Sequence, residues 1–407
     1  MPVLVQKYGG TSVEGAERIR AVAQRVAAAR AAGHDTVVVV SAIGRTTDEL
    51  LRLAHEVSAS PSRRELDMLL TAGERVSMAL LAMALGDLGV EAISFTGSQS
   101  GILTTGVHSA ARITAIRPDR IRAELGRGRV VIVAGFQGVN PETREITTLG
   151  RGGSDTSAVA LAAALGPGRC EIYTDVSGIF TADPRVVPGA RRIPRISLAA
   201  CSTLAHLGGR VLHARCVDLA AVHRVPLTVR SSFDESPGTD IVEEEMEQGR
   251  VEAVAHRAEC SVALAEGNAG GRGEARGIIE AVAEAFPELE LVAHEQSGPH
   301  GVIVWLGGSA DADALVRDFR RLRGPGGEWK LEVEHGAAFV SLVGLGLGAR
   351  EAARGEEALE RADVPLVALR VTPTALIYRV AGGRCDQAVR ALHAAFFEPG
   401  ELTNRPG

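Results

Sequence analysis

The chain has 407 residues, enough for two or three domains with a large buried core, and its 44 basic against 50 acidic residues give a net charge of −6. No basic block follows a nucleic-acid backbone, no apolar run reaches spanning length, and the stretch 1–7 is too short for a signal h-region, so neither nucleic-acid nor membrane binding is expected. Five scattered cysteines without C-x-x-C spacing read as small buried hydrophobes of a reduced cytoplasmic protein, and exclude a disulfide or zinc framework.

In chain order, residues 3–5, 37–41, 92–95, 130–133, 172–174 and 226–230 are short, apolar and partly β-branched, and predict strands. Residues 14–31, 48–57, 65–88, 156–165 and 216–222 have helical spacing. Such alternation predicts a mainly parallel sheet with helices on both faces, whose ligands bind beyond the carboxyl ends of the strands. Glycine loops follow Val5, Val40 and Val133 at those ends. Residues 234–250 are acidic and carry Pro237 and Gly238, which predicts an exposed linker. Beyond it the pattern strand, helix, strand, strand, helix runs twice. The first pass takes 260–265, 274–285, 289–294, 302–306 and 310–321; the second takes 338–343, 351–362, 366–370, 376–380 and 386–397. Two such units predict a tandem ferredoxin-like pair.

Two strings carry the chemistry. Only two basic residues are lysine, Lys7 and Lys330, and Lys7 ends an apolar run directly before Gly9 and Gly10. A chain that otherwise uses arginine has placed a compact ammonium beside a loop whose backbone N–H groups can hold phosphate. The second string, Thr148-Leu149-Gly150-Arg151-Gly152-Gly153-Ser154-Asp155, opens onto a helix. Its glycines permit close approach to an anion, Arg151 can fork onto a carboxylate or phosphate, and Asp155 reads either as a functional group or as a helix cap. Neither string is a P-loop or a dinucleotide fingerprint. Glu74, on an amphipathic helix, reads from spacing alone as a solvated charge. Asp183, before Pro184, reads equally as the start of a turn. The eleven histidines show no metal-ligand pairing.

Six strings in order, Lys7-Tyr-Gly-Gly-Thr-Ser-Val13, Ser41-Ala-Ile-Gly-Arg-Thr-Thr47, Thr71-Ala-Gly-Glu74-Arg75, Phe95-Thr-Gly-Ser-Gln-Ser-Gly101, Gly150-Arg-Gly-Gly-Ser-Asp155 and Tyr173-Thr-Asp-Val-Ser-Gly-Ile-Phe-Thr-Ala-Asp-Pro-Arg185, resemble aspartate kinase. The resemblance implies an α/β/α amino-acid kinase domain over 1–233, a linker at 234–250, ACT-like domains at 251–333 and 334–400, and a tail at 401–407. It implies that ATP with Mg²⁺ phosphorylates the side-chain carboxylate of L-aspartate. Lys7, oriented by Asp155, would neutralise the transferring phosphoryl group, with Gly9, Gly10, Gly152, Gly153 and Ser154 lining the phosphates. Arg151 would take the α-carboxylate of aspartate and Glu74 its α-ammonium, with Ser41 and Thr47 completing that pocket. Thr174, Asp175, Phe180, Asp183, Arg185 and Arg210 would hold the nucleotide, and Mg²⁺ would be held by phosphate oxygens and water, with no protein ligand cluster.

Phe180 stands where the family usually has tyrosine, and Arg210 where it usually has lysine, which implies altered ATP affinity with transfer retained. The effector loops of the ACT pair also depart: Glu266-Gly-Asn-Ala-Gly-Gly271, His294-Glu-Gln-Ser-Gly-Pro-His-Gly301 and Thr372-Pro-Thr-Ala-Leu376 replace the usual segments. Weakened lysine and threonine feedback follows from that, because an amino-acid effector needs fixed partners for its ammonium and carboxylate. A homodimer through the ACT pair is expected, with an α2β2 assembly if Met246 begins a separate chain. Two alternatives use the same residues: a kinase of another amino-acid carboxylate, and a non-catalytic amino-acid-binding homologue.

Overall fold

The computed structural model describes residues 2–166, 168–209, 211–243, 250–268, 273–286, 289–297, 300–323 and 328–398. Arg210, Met246, the tail at 401–407 and parts of the loops at 266–271 and 294–301 lie outside the described residues. The chain divides into two compact units, Met1–Thr181 with Ala190–Gln248, and Ala182–Gly189 with Gly249–Gly407.

The first unit runs β1 (Val3–Tyr8), α1 (Ala16–Ala31), β2 (Asp35–Val40), α2 (Thr46–Val57), α3 (Arg63–Asp87), β3 (Ala92–Phe95), β4 (Ile102–Thr104), β5 (Ile113–Ile116), α4 (Asp119–Gly126), β6 (Val130–Ala134), β7 (Gln137–Val139), β8 (Ile146–Thr148) and α5 (Gly153–Leu165). It continues through β9 (Gly168–Thr174), β10 (Arg195–Ser197), α6 (Leu198–His206), α7 (Ala214–His223), β11 (Leu227–Ser231) and β12 (Thr239–Val242). Among the described residues eight strands form one sheet in the order β10-β12-β11-β9-β1-β2-β6-β3, and only the β11–β12 pair is antiparallel. The four valines Val37–Val40 are fully buried, as strands covered on both faces require. Strand β1 sits in the middle, with β2 on one side and β9 on the other, so Lys7 lies opposite both Val39 and Ile172. The chain order reverses across β1, which makes its carboxyl end a topological switch point and the place where such sheets bind ligands.

Four differences from the sequence reading have local causes. The small sheet β5-β4-β7-β8 was not foreseen, because strands of three or four residues carry no measurable period. Helices α4 and α6 were also not foreseen; each is under ten residues, and α4 follows Pro118 with a polar composition. Within the stretch read as a linker, β12 joins the main sheet. Thr239 and Ile241 are buried there, and the Thr239 hydroxyl donates to Ile193 O at 2.6 Å and accepts from Ile179 N at 2.9 Å. Finally, α3 is by length and composition long and apolar enough to cross a membrane, contrary to the expectation that no run is. Its inner face, including Leu81 and Leu85, is packed into the sheet core with Val22, Val38 and Ile132.

The second unit runs β13 (Arg250–Asn268), α8 (Glu274–Ala285), β14 (Glu290–Ser297), β15 (His300–Gly307), α9 (Ser309–Leu322), β16 (Glu328–Leu345), α10 (Ala349–Arg361), β17 (Ala368–Thr372), β18 (Ala375–Ala381) and α11 (Cys385–Phe397). Among the described residues six strands form one antiparallel sheet, β14-β15-β13-β16-β18-β17. Strands β13 and β16 pair along almost their whole length, from Arg250 opposite Leu345 to Asn268 opposite Glu328, with register shifts between Arg257 and Val262. The tandem ferredoxin-like arrangement is therefore present, but its two halves are not consecutive. The amino-terminal part of β13, up to Arg257, lies beside the carboxyl-terminal part of β16 and supplies the fourth strand of the second half. Trp305 and Trp329 fill the core of the first half between sheet and helices; Tyr378, bonded to Ala352 O, does so in the second.

Candidate active site

Strand β1 carries Lys7 to the switch point, and the first turn of α5 carries Asp155 to meet it. Lys7 Nζ lies 2.5 Å from Asp155 Oδ1, with both side chains about nine-tenths shielded. The glycine loop after β1 is held from two sides. Gly9 N donates to Tyr173 O on β9, and Gly44 N donates to Gly10 O. A Cβ on Gly10 would lie 2.8 Å from Ala42 O and 2.9 Å from Gly44 O, so only glycine lets the loops after β1 and β2 interlock.

The loop after β2 then gathers the second group. Ser41 Oγ lies 2.9 Å from Ser154 Oγ, which joins this loop to the start of α5. Ala42 N donates to Glu74 Oε1 at 3.1 Å, and Gly73 lets α3 approach Ala42 closely. Glu74 is only 3% exposed, and its Oε2 has no hydrogen-bond partner among the described residues. Burial pushes its carboxyl up to about 7, against the opposing pull of backbone hydrogen bonds. A buried acceptor without a donor is expensive, so this oxygen is poised for a cation. Thr47 lies half-buried in the first turn of α2, on the same loop-to-helix junction.

Arg151 is exposed, has no ion-pair partner among the described residues, and is flanked by Gly150 at φ 74° and Gly152 at φ 66°. A Cβ on Gly152 would fall 2.2 Å from the His213 ring, so glycine is required there for both reasons. Gly153 N donates to Gly150 O and starts α5.

At the end of β9, Thr174 Oγ1 donates to Asp175 Oδ1. Ser232 donates through its hydroxyl to Thr174 O and accepts from Ser12 Oγ, tying the ends of β1, β9 and β11 together. Phe180 is half-buried and bridges Arg192 through its backbone. Asp183 and Arg185 belong to Ala182–Gly189, a segment of the second unit. Arg185 forks onto Asp183, with its shortest bond at 2.6 Å, and that bond holds the Asp183 carboxyl below its usual range.

The structure thus brings Lys7, Gly9, Gly10, Ser41, Glu74, Ser154 and Asp155 together through a chain of contacts, and sets Arg151, Gly152 and Gly153 on the same helix start. Sequence reasoning missed Asp67, Arg215 and Ser232. Of these Asp67 left a signal, since seven residues before Glu74 places it on the same face of α3.

The model of the amino acid kinase family matches residues 2–231. Aspartokinase from Corynebacterium glutamicum is 43% identical over 98% of this chain and 97% of its own length. Aspartokinase from Mycolicibacterium smegmatis is 44% identical over 97% and 96%. The crystal structure of Escherichia coli aspartokinase III in complex with aspartate and ADP superposes with a TM-score of 0.81 at 24% identity, covering 97% of this chain and all of that one, and shows the same fold. The switch-point lysine, the interlocked glycine loops and these relatives agree: the chain belongs to the amino acid kinase family and, within it, to the aspartokinases, the kinases that phosphorylate aspartate.

Proposed function

We propose that Lys7 and Asp155 carry the phosphoryl transfer from ATP and that Glu74, Arg151, Ser41 and Thr47 hold L-aspartate as its acceptor. The observation that carries this reading is the proximity of two unlike features. One is a shielded ammonium–carboxylate pair at the switch point; the other is a buried Glu74 oxygen awaiting a cation, joined to it through Ala42, Ser41 and Ser154. A side-chain carboxylate oxygen of aspartate attacks the γ-phosphorus, the bond to the β–γ bridging oxygen breaks, and ADP leaves with that electron pair. No proton needs removing, because the acceptor is already ionised at neutral pH. Lys7 places positive charge where the transferring group is negative, and Asp155 fixes its direction. Thr174 and Asp175, with Gly9, Gly10, Gly152, Gly153 and Ser154, line the nucleotide and phosphates in this reading, and the family resemblance is what adds Phe180, Asp183, Arg185 and Arg210 as nucleotide contacts.

Among the described residues no group of three or more His, Cys, Asp or Glu is placed to hold a metal ion. Mg²⁺ would enter with ATP, held through phosphate oxygens and water. Mg²⁺, when bound with ATP, neutralises phosphate charge. Cytoplasmic residence, where ATP and aspartate are available, fits the same reading. The resemblance supports a homodimer built on the second unit, with α2β2 as the alternative.

The test is ATP-dependent aspartyl hydroxamate formation with L-aspartate, with L-glutamate and no-acceptor controls. L-Aspartate alone should give product. Lys7→Arg keeps the charge and should lose about a hundredfold or more in kcat, since a planar fork cannot replace the compact ammonium. A variant within threefold (about 0.7 kcal/mol) of the parent would remove Lys7 from the transfer step.

A further inference from the structure

We propose that Asp67 and Arg215 are positioning residues for the acceptor amino acid, clamping the segment 108–111 against Thr148–Gly150 so that α3 sets the span between Glu74 and Arg151. The inference rests on the assignment of Glu74 and Arg151 to the acceptor.

Asp67 is fully buried on α3, two turns before Glu74. A buried carboxylate persists only when its oxygens are satisfied, and here donors converge from two segments. His108 Nδ1 lies at 2.7 Å, Ser109 N at 3.1 Å and Ser109 Oγ at 3.4 Å, all from one segment. Thr148 Oγ1, at 2.6 Å, comes from the end of β8, three residues before Arg151. From the other side Arg215, on α7, forks onto Leu149 O and Ala111 O, both at 2.9 Å. Burial lowers the Arg215 pKa, and Arg215 has no carboxylate partner among the described residues. A half-buried cation held by two carbonyls is not there to neutralise an anion; its role is geometric.

The backbone between the two charges is strained. Ser109 has φ 66° and Phe136 has φ 69°, in the left-handed region that favours glycine. Both touch the acceptor loop: Ser109 O lies 2.9 Å from where a Cβ on Gly150 would sit, and Phe136 O accepts from Leu149 N at 2.8 Å. Strain of this kind persists only where the surroundings over-determine it, and Asp67 supplies three of the bonds that hold Ser109. Helix α3 is then a ruler. One end of it grips the loop bearing Arg151 and, two turns on, it presents Glu74.

Steady-state kinetics of Asp67→Asn and Arg215→Lys in the full chain test the clamp. Asparagine offers one acceptor oxygen where two are used, and lysine cannot fork onto two carbonyls. Each should raise KM for L-aspartate about tenfold while kcat and KM for ATP stay within about twofold, the signature of lost acceptor binding alone. If either variant is recovered unfolded, His108→Gln at the partly exposed rim should still raise KM for aspartate about threefold. An unchanged KM for aspartate in the folded variants, or a parallel rise in KM for ATP, overturns the clamp. Arg151→Gln separates the two levels. If it leaves KM for aspartate unchanged, the acceptor assignment itself fails; if it raises KM and the clamp variants do not, only the clamp fails.

Discussion

Glu74 shows at the scale of one residue why burial matters more than identity. Its carboxyl, raised from 4.5 to about 7 by burial, is partly protonated in the free enzyme at neutral pH, whereas an ammonium ligand requires the ionised form. KM for L-aspartate should therefore fall as pH rises through about 7 and then level off, and Glu74→Gln should abolish that dependence and raise KM throughout; initial-rate kinetics from pH 6 to 8.5 check it. The same shift has a sign for stability. The folded protein holds a proton that the unfolded chain releases near 4.5, so this group's contribution is fully present below that value and is lost as pH rises through about 7. In the sequence, Lys7 stood out because it is one of only two lysines in an arginine-using chain. Glu74 was legible only through its neighbouring string, and Asp67 only through its seven-residue spacing from Glu74, since a buried and a solvated carboxylate look alike on a helix until the partners arrive from 41 and 81 residues away.

At the scale of elements, the start of α5 is set by glycines with different duties. Gly152 has φ 66° and no space for a Cβ beside His213, while Gly166, at the other end of the helix, has φ 100° and open space around it. Gly152→Ala should lower kcat/KM for aspartate by about tenfold or more as well as the melting temperature, because relief of the clash must move Arg151, whereas Gly166→Ala should lower only the melting temperature. Kinetics and thermal melts on the two variants distinguish them, and equal effects on kcat/KM would deny the loop a role in binding. Long elements were readable, with α3 and α5 found within three residues of their ends, because a dozen or more positions sustain a helical period. The small sheet leading to Thr148 was not, though it delivers Arg151, because each of its strands is shorter than the window in which alternation can be seen.

At the scale of the molecule, the resemblance gives the second unit a regulatory role, and we propose that this role is weakened here. In the second half, the Thr372 hydroxyl both donates to Ala375 O and accepts from Ala375 N, so it closes its own turn and is not presented to a ligand. Together with the altered loops in the sequence, this supports weak feedback. Activity should fall by less than about half in saturating lysine plus threonine, and strong inhibition at submillimolar concentrations of the pair would refute that expectation. The change in pattern near residue 250 was legible in the sequence; the assignment of Ala182–Gly189 to the second unit was not. The sharing of β13 was not, because a strand of nineteen residues in one sheet reads in sequence as an anonymous extended stretch with no mark of where one half hands over to the next.

That shared strand makes the second unit a nested structure, closed like a parenthesis. The opening of β13, the end of β16 and the last four elements, α10, β17, β18 and α11, belong to one half, and everything between belongs to the other. Roughly 80 residues separate the two edges that pair, and folding of the inner half draws its ends together and lowers the entropy cost of closing that loop. No single cut of the chain releases either as an intact piece: a fragment beginning after residue 257 keeps every helix of the outer half and leaves the backbone amides of Val340 to Val343 without their neighbour.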